Sequence, residues 1–593
     1  MSLSSHRSDS PKHLPSDYLV LMHRCLSVAE IVRVITDHLP ASDTYGRAAL
    51  ASLARTCRTL HEPALDALWY HQDDLFNILR CLPSDSWTFG QDELPPGTIP
   101  GNITYHLRIT RPLSPADWIR FDTYALRVKS FGTMYTPRAQ RPRPFPPPLP
   151  SANTKPDFTV LTMSVFIELS LRRSSSPVFP KLRHLCCTRT EYMGFFLSTS
   201  LTCLKFSFES LHWDNTPLPL ICSLPKSCSR LQELEILDDS VMMCPAIIRI
   251  VGNLPLLRCF SFKWSRADDL AELLRSLQTV PMLQTVRMHC GEQYGRLLSQ
   301  DPLDTARFSA GGSLPAAIRS LQINDTRPEN FPRLLQVLQP RGLHRVHFAL
   351  HFPRRIAPEE GVPASLPETL ERTLTMLKHC SDCSVLESIL VQYPTDDPLP
   401  DRTDWVWSTT QINRYVDSTA CYNIQHIQPL LSFHNLITVD IRVHASMYLD
   451  DNALEVMAIS WPRLQVLNLN GGIWPRAEVC LRVTLRAVTH LALHCADLVG
   501  FSLAINCLDV ERQCQTLPQP APPHGKLRWI QLGESRLGNT RSELVDFLLR
   551  WFPGLEWIRN STESDRTWKT IIEETRIAQR DRTQSFLLVE AQS

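Results

Sequence analysis

One short phrase recurs thirteen times between residues 182 and 560, and it constrains the fold more than any other feature of the chain. It reads Leu-x-x-Leu-x-Φ, where Φ is apolar and another apolar residue can replace either leucine. The copies are LRHLCC (Leu182), LTCLKF (Leu201), LQELEI (Leu231), LRCFSF (Leu257), LQTVRM (Leu283), IRSLQI (Ile318) and LHRVHF (Leu343). They continue as LESILV (Leu386), LITVDI (Leu436), LQVLNL (Leu464), VTHLAL (Val488), LRWIQL (Leu527) and LEWIRN (Leu555). In an extended strand, alternate residues face one side. The closing Leu-x-Φ therefore sends two side chains into a shared core, and the x between them faces the other way. The leading Leu packs the turn that enters the strand. One such unit cannot bury its apolar side alone, so the pattern demands stacked neighbours.

The starts lie about 31 residues apart on average, with intervals from 19 to 50. That is a little above the roughly 20–29 residues of a leucine-rich repeat, so the array reads as irregular, with insertions. Helical stretches separate the phrases, most clearly ADDLAELLRSLQTV (Leu270, Leu273, Leu274, Leu277), DDNALEVMAISWP and SELVDFLLRWFP. Pro180, Pro255, Pro281, Pro462 and Pro553 stand just upstream of phrases, where a proline ends a helix and turns the chain. An α-solenoid or a generic α/β domain competes with this reading; Phe and Val closing several phrases favour strands. The x positions Lys205, Glu235, Ser261 and Asn468 face the concave surface and are the candidate target contacts.

The segment before the array reads as helices. Ser27 and Glu30 have the spacing of a capping box, and Val28, Ile31, Val32, Ile35 and Leu39 form one stripe that Pro40 stops. A second helix is expected over 47–61, with Leu50, Leu53, Ala54, Cys57 and Leu60 aligned. A third opens at Pro63, and a fourth gathers Leu75, Ile78, Leu79 and Leu82. Further on, Ser114, Pro115 and Asp117 suit a helix start, with Trp118, Phe121, Ala125 and Val128 on one face. Seven prolines between Pro137 and Pro150 favour an extended conformation, read as a solvated insertion in preference to an SH3- or WW-type ligand.

Leu26, Glu30, Ile31, Ile35 and Leu39, then Leu53, Thr56, Cys57 and Arg58, and finally Leu68 and Trp69, resemble an F-box. EPALDALW, NILRCLP, ISWPRLQVLNLNGG and DDNALEVMAIS are similar to F-box proteins with leucine-rich repeats of the kind abundant in mushroom-forming fungi. Ser27 stands where that pattern has Pro most often, and the loop around Ser42 to Arg47 is longer than usual. The resemblance implies the substrate-recognition subunit of an SCF-type cullin-RING ubiquitin ligase. The F-box would dock a Skp-family adaptor, and through it a cullin, while the repeats hold a target protein. It implies Leu26, Ile31, Ile35, Leu39, Leu53 and Cys57 as adaptor-facing or supporting positions. Catalysis would be proximity to another enzyme's thioester, so the chain itself would be no enzyme and would need no cofactor. An interaction scaffold outside any ligase is the alternative, and Ser27 in place of Pro is the feature that would mark it.

The expected fold is thus α/β, a three-helix F-box followed by an irregular leucine-rich-repeat solenoid, a horseshoe. The expected organisation is a disordered tail over 1–20, the F-box module over 21–82, a linker helix and capping segment over 83–136, and the Pro-rich insertion over 137–157. The repeat array over 158–580 and a tail over 581–593 complete it.

Composition sets the outer limits. Lys and Arg number 61 against 60 Asp and Glu, a net +1 that gives no general attraction to nucleic acid or anionic membrane. Leu is about one residue in seven. The 20 Gly are about half the usual share and the 46 Pro about one and a half times it. Low Gly argues against a phosphate-cradling site, and no P-loop, G-x-G-x-x-G, G-x-S-x-G or H-E-x-x-H occurs. The 18 Cys are too sparse for a disulfide scaffold. With neither a signal-like N-terminus nor a long apolar run, they read as reduced thiols in the cytoplasm or nucleus. Cys380-Ser-Asp-Cys383 lacks a second ligand pair for zinc and reads as two ordinary thiols. Cys495 reads as core. His344, His347 and His351 split across a strand's faces, and Trp405 and Trp407 suit either a binding surface or a buried insertion.

Overall fold

The computed structural model describes residues 28 to 577 with breaks, the longest at 92–104, 133–158, 291–313, 351–365 and 393–420. The expected N-terminal tail, Leu26, Ser27, the Pro-rich insertion, Trp405, Trp407 and the C-terminal tail lie outside the described residues. The described chain forms two compact units, 28–231 and 232–577.

In the first unit, helix α1 (Ala29–Asp37) takes Val28 as its N-cap, extended at φ −83°, ψ 113° and without a side-chain cap bond. The start falls one residue later than the Ser27–Glu30 spacing predicts. The single helix expected over 47–61 is two. Helix α2 (Thr44–Leu53) ends in a turn where the Thr56 hydroxyl donates to the Leu53 carbonyl (2.7 Å), a local bond that competes with helix continuation. Cys57 is extended (φ −155°, ψ 164°), and α3 (Arg58–Tyr70) runs through Pro63 instead of opening at it. Both α1 and α2 pack on α3. Helix α4 (Phe76–Leu79) is one turn long, and Leu75, Ile78, Leu79 and Leu82 are buried as expected.

The strand ladder starts earlier than the phrase count suggests. Strand β1 (His71–Gln72) follows α3 directly. Strands β2 (Trp87–Gln91) and β3 (Tyr105–Ile109) form an antiparallel pair aside from the ladder. Then comes β4 (Ser130–Phe131), preceded by a 3₁₀ turn and helix α5 (Ile119–Ala125). At that start the Asp117 carboxylate accepts the Ser114 backbone N–H and hydroxyl (both 2.8 Å), and Arg111 grips the same carboxylate (2.9 and 3.3 Å). Trp118, Phe121, Ala125 and Val128 are buried as predicted. Strand β5 (Thr159–Leu161) joins β3 in parallel, and helix α6 (Met163–Arg172) packs on β3. Strands β6 (His184–Cys187) and β7 (Cys203–Phe206) extend the parallel order β1-β4-β6-β7. Helix α7 (Pro217–Ser227) closes the unit.

The second unit is one parallel ladder. It runs β8 (Glu233–Ile236), β9 (Cys259–Trp264), β10 (Thr285–Cys290), β11 (Ser320–Asp325), β12 (Arg345–Leu350) and β13 (Ser388–Gln392). Strand β14 (Cys421–Asn423) pairs aside with β16 (Ser446–Tyr448). The ladder resumes with β15 (Thr438–Arg442), β17 (Val466–Leu469) and β18 (Gly500–Ser502). Strand β19 (Asn506–Cys507) pairs aside with β21 (Arg536–Leu537), and β20 (Trp529–Gln531) and β22 (Trp557–Arg559) complete the series. Helices fill the intervals: α8 (Cys244–Val251), α9 (Ala267–Leu277), α10 (Asn330–Leu338), α11 (Leu366–Cys380), α12 (Ile424–Ile427), α13 (Asp451–Ser460), α14 (Leu485–His494), α15 (Val510–Thr516) and α16 (Arg541–Trp551). The order is that of an α/β strand–helix repeat solenoid, and among the described residues no sheet closes into a barrel.

Register explains why the phrase works. Leu234, Phe260, Val286, Leu321, Val346, Ile389, Val439, Leu467, Phe501 and Ile530 pair across neighbouring strands. Each is no more than 1% exposed. A second buried row runs parallel through Ile236, Phe262, Met288, Ile323, Phe348, Val391, Ile441 and Leu469. Burying one such side chain is worth about 1.5–3 kcal/mol. The leading Leu closes a tight turn: its N–H donates to the carbonyl three residues back, as in Leu257 to Leu254 (3.2 Å), Leu464 to Trp461 (3.1 Å) and Leu555 to Phe552 (3.1 Å). Pro180, Pro255, Pro281, Pro462 and Pro553 all sit in these turns.

One of the thirteen phrases is not a strand. VTHLAL lies inside α14, where Leu485, Val488 and Leu491 are buried at helical spacing. The Thr484 hydroxyl, which accepts the Arg486 N–H (3.2 Å), caps that helix. The strand of this repeat is LVGFSL, from Leu498. Cys495 is buried as expected, its thiol pushed up to about 12 by burial. Its carbonyl accepts from the His524 ring (Nε2, 3.0 Å), a bond from one repeat to the next.

Candidate functional site

The first candidate surface is on α1. Val32 and Thr36 are its buried side, at 0% and 1% exposure. The apolar stripe is the other side: Val28 is 41% exposed, Ile31 42%, Val34 56% and Ile35 40%. An exposed apolar stripe of this kind is a candidate interaction surface. Of the predicted adaptor positions, Ile31 and Ile35 are open, Leu39 and Leu53 are half-buried, and Cys57 is exposed as the N-cap of α3. Val34 was outside the predicted stripe, yet at i+3 from Ile31 it extends the same face.

Polar links fix the helices to the first strands. The His71 ring bonds the Asp73 carboxylate through Nε2 (3.0 Å) and the Ser130 hydroxyl through Nδ1 (2.9 Å). Arg47 on α2 donates to the same Asp73 (3.2 Å). The His71 hydrogen bond first, and then Arg47, pull the Asp73 carboxyl down to about 2. Serine, imidazole and carboxylate are thus in line. The nearby Gly132 N–H, however, is taken by the Gln72 carbonyl (2.8 Å) and does not serve as an oxyanion donor. Gly132 itself is at φ +83°, and a Cβ there would lie 1.9 Å from the Cys186 carbonyl oxygen. Arg127 adds a second clasp, donating to Glu62 (2.5 Å) and Asp66 on α3. The Glu62 carboxyl is held below its usual range by that bond.

The second candidate surface is the sheet face opposite the buried rows. Glu235, Ser261 and Asn468 share one register row, which reads Glu235, Ser261, Arg287, Gln322, His347, Leu390, Asp440, Asn468, Ser502, Gln531, Arg559. Lys205 has the equivalent place on β7, paired with Cys186. Lys205, Glu235 and Asn468 are half-buried. Ser261 is on the expected face but only 1% exposed. Its hydroxyl meets His289 (3.3 Å), whose ring is bonded in turn by Asn324 (3.0 Å), so this serine holds the sheet together below the surface.

Sequence reasoning passed over two features of this face. Asp440 on β15 receives a forked pair from Arg442 (2.9 and 2.7 Å) and a bond from Gln392 on β13 (2.9 Å). Trp529 and Trp557 stack on adjacent strands, with ring centroids 5.4 Å apart and 11° between planes. Gly500, one strand earlier, makes room: a Cβ there would lie 1.9 Å from the Trp529 ring. LRWIQL and LEWIRN both carry Trp at an x position, so the signal was present in the phrases. Cys380 and Cys383 are half-buried, and the Cys380 thiol is raised by burial. Among the described residues no cluster of three or more His, Cys, Asp or Glu is arranged to hold a metal. No described helix is long and apolar enough to cross a membrane.

These features define a class, the parallel strand–helix repeat protein, with one apolar helical surface and one polar sheet surface. No family model matches the chain, and no curated protein matches it. Among solved structures it is similar to the crystal structure of the Rad7 and Elc1 complex in yeast. That match is 13% identical over 63% of this chain and 81% of that chain, with a TM-score of 0.31.

Proposed function

We propose that this chain is the substrate-recognition subunit of an SCF-type cullin-RING ubiquitin ligase. Its first helices dock a Skp-family adaptor, and its strand ladder holds the target protein. The observation that carries the reading is the α1 surface, where Val28, Ile31, Val34 and Ile35 stay exposed while Val32 and Thr36 pack inward. An apolar stripe left open by its own fold calls for a partner. The F-box resemblance of this segment names the partner's kind. The polar, in-register sheet face suits a target-holding role, and the chemistry belongs to the ubiquitin-conjugating enzyme brought alongside.

Co-purification of the full chain with a Skp-family adaptor tests the reading. The wild-type chain is expected to form a stable complex. Ile31→Asp and Val34→Asp are each expected to weaken it by about 30-fold or more, the effect of losing a hot-spot side chain. A folded wild-type chain that captures no adaptor overturns the ligase reading and leaves an interaction scaffold.

A further inference from the structure

Strands β9 to β12 set three cations on one line across the polar sheet face. Three positions on each of these four strands look away from the buried rows, and the register ties them together. They include Lys263 on β9, Arg287 on β10 and Arg345 on β12, with the imidazoles of His289 and His347 beside them. None of these positions is Asp, Glu, Phe, Tyr or Trp. Lys263 pairs with His289, two residues beyond Arg287. Arg345 pairs with Ser320, and Ser320 with Thr285, two residues before Arg287. The cations therefore descend the face diagonally. With strands about 4.8 Å apart and a rise of about 3.3 Å per residue, the backbone steps are about 8 Å and then about 12 Å. Arg345 is exposed, and Lys263 and Arg287 are half-buried. Glu233 and Glu235 on β8 border the diagonal on one side. On the other, past β13, stands Asp440, whose charge the Arg442 fork covers.

We propose that this diagonal docks an acidic segment of the target protein, an extended run of about six residues whose carboxylates meet Lys263, Arg287 and Arg345. Single cations spread over about 20 Å match carboxylates spaced along an extended chain. A phosphate dianion instead calls for donors converging on one point. A face without aromatic side chains also lacks the stacking platform that single-stranded nucleic acid uses. Glu233 and Glu235 repel an acidic segment from β8, so the charge pattern sets its place as well as its attraction. The inference rests on the sheet face being the target-holding surface, and it adds the chemistry of what is held.

Titration of the full chain into fluorescein-labelled hexaglutamate, read by anisotropy, tests it. The wild-type chain is expected to bind hexaglutamate and not hexalysine, and binding should weaken several-fold as ionic strength rises from roughly 0.01 M to roughly 0.15 M. Arg287→Glu combined with Arg345→Glu is expected to weaken hexaglutamate binding by about tenfold or more. The same double variant is expected to gain binding to hexalysine, a reversal that misfolding cannot produce. Absence of hexaglutamate binding by the wild-type chain overturns the proposal, as does binding that the double variant leaves unchanged or loses without gaining hexalysine. Tighter binding of a hexapeptide carrying phosphoserines, or of a six-nucleotide oligothymidylate, overturns the assignment to carboxylates. A chain that captures the Skp-family adaptor but not hexaglutamate sinks this inference alone. One that binds hexaglutamate through Arg287 and Arg345 but captures no adaptor supports it and sinks the ligase reading.

Discussion

Two apolar surfaces of similar make-up meet opposite fates in this chain. Ile31 and Ile35 on α1 are 42% and 40% exposed, whereas Leu321 and Val346 on β11 and β12 are fully buried. Both sets arise from regular apolar spacing. The ladder residues find partners because each strand is followed by another in register. The α1 stripe has no repeat of itself to stack on, and its helix packs on α3 through Val32 and Thr36 instead. The difference teaches that periodicity announces a face without saying whether the chain itself will cover it.

Substitutions should separate the two surfaces sharply. Phe260→Ala empties a fully buried position of the ladder and is expected to cost about 3–5 kcal/mol, read by denaturant unfolding. Next in size, Gly500→Val places a side chain where the Trp529 ring lies. It is expected to cost about 1–3 kcal/mol and to alter the near-UV circular dichroism of the Trp529–Trp557 stack. Asp450→Ala removes the carboxylate that accepts the Ala453 N–H (2.8 Å) at the start of α13, with an expected loss of about 1 kcal/mol. Ile31→Asp is the smallest in stability, within about 0.5 kcal/mol, although it should weaken adaptor capture by about 30-fold or more. An unfolded Ile31→Asp chain would show that the α1 stripe is structural and erase the contrast.

Acid tests the polar links of the first unit. The folded pKa of Asp73 is depressed to about 2. Its contribution is therefore complete above the unfolded value of about 4 and is lost as pH falls from there toward about 2. Asp73→Asn should flatten that part of the stability profile of the first unit. An unchanged acid limb would mean that the His71 and Arg47 bonds contribute nothing.

Much of the ladder was legible because each phrase states which two residues go inside. VTHLAL misled because its spacing of three suits a helix equally well, and the capping Thr484 decided the matter. Strand β1 was hidden because His71–Gln72 is two residues long and polar. In the candidate site, the stripe on α1 was visible, but which of Ile31 and Val32 faced outward was not. Adjacent positions on a helix differ by about 100°, and only packing on α3 settles which is covered. Ser261 shows the converse: alternation put it on the right face, and neighbouring side chains then buried it.

The uneven intervals carry one more consequence. From Leu182 to Leu201 the chain advances 19 residues and from Leu386 to Leu436 it advances 50, yet in both cases the two strands pair in order. Strand order and connector length are thus decoupled, as spacing between rungs is indifferent to slack in the rope. A chain built this way can take in new connectors of almost any length one at a time, each offering fresh surface, without renegotiating the ladder that carries them.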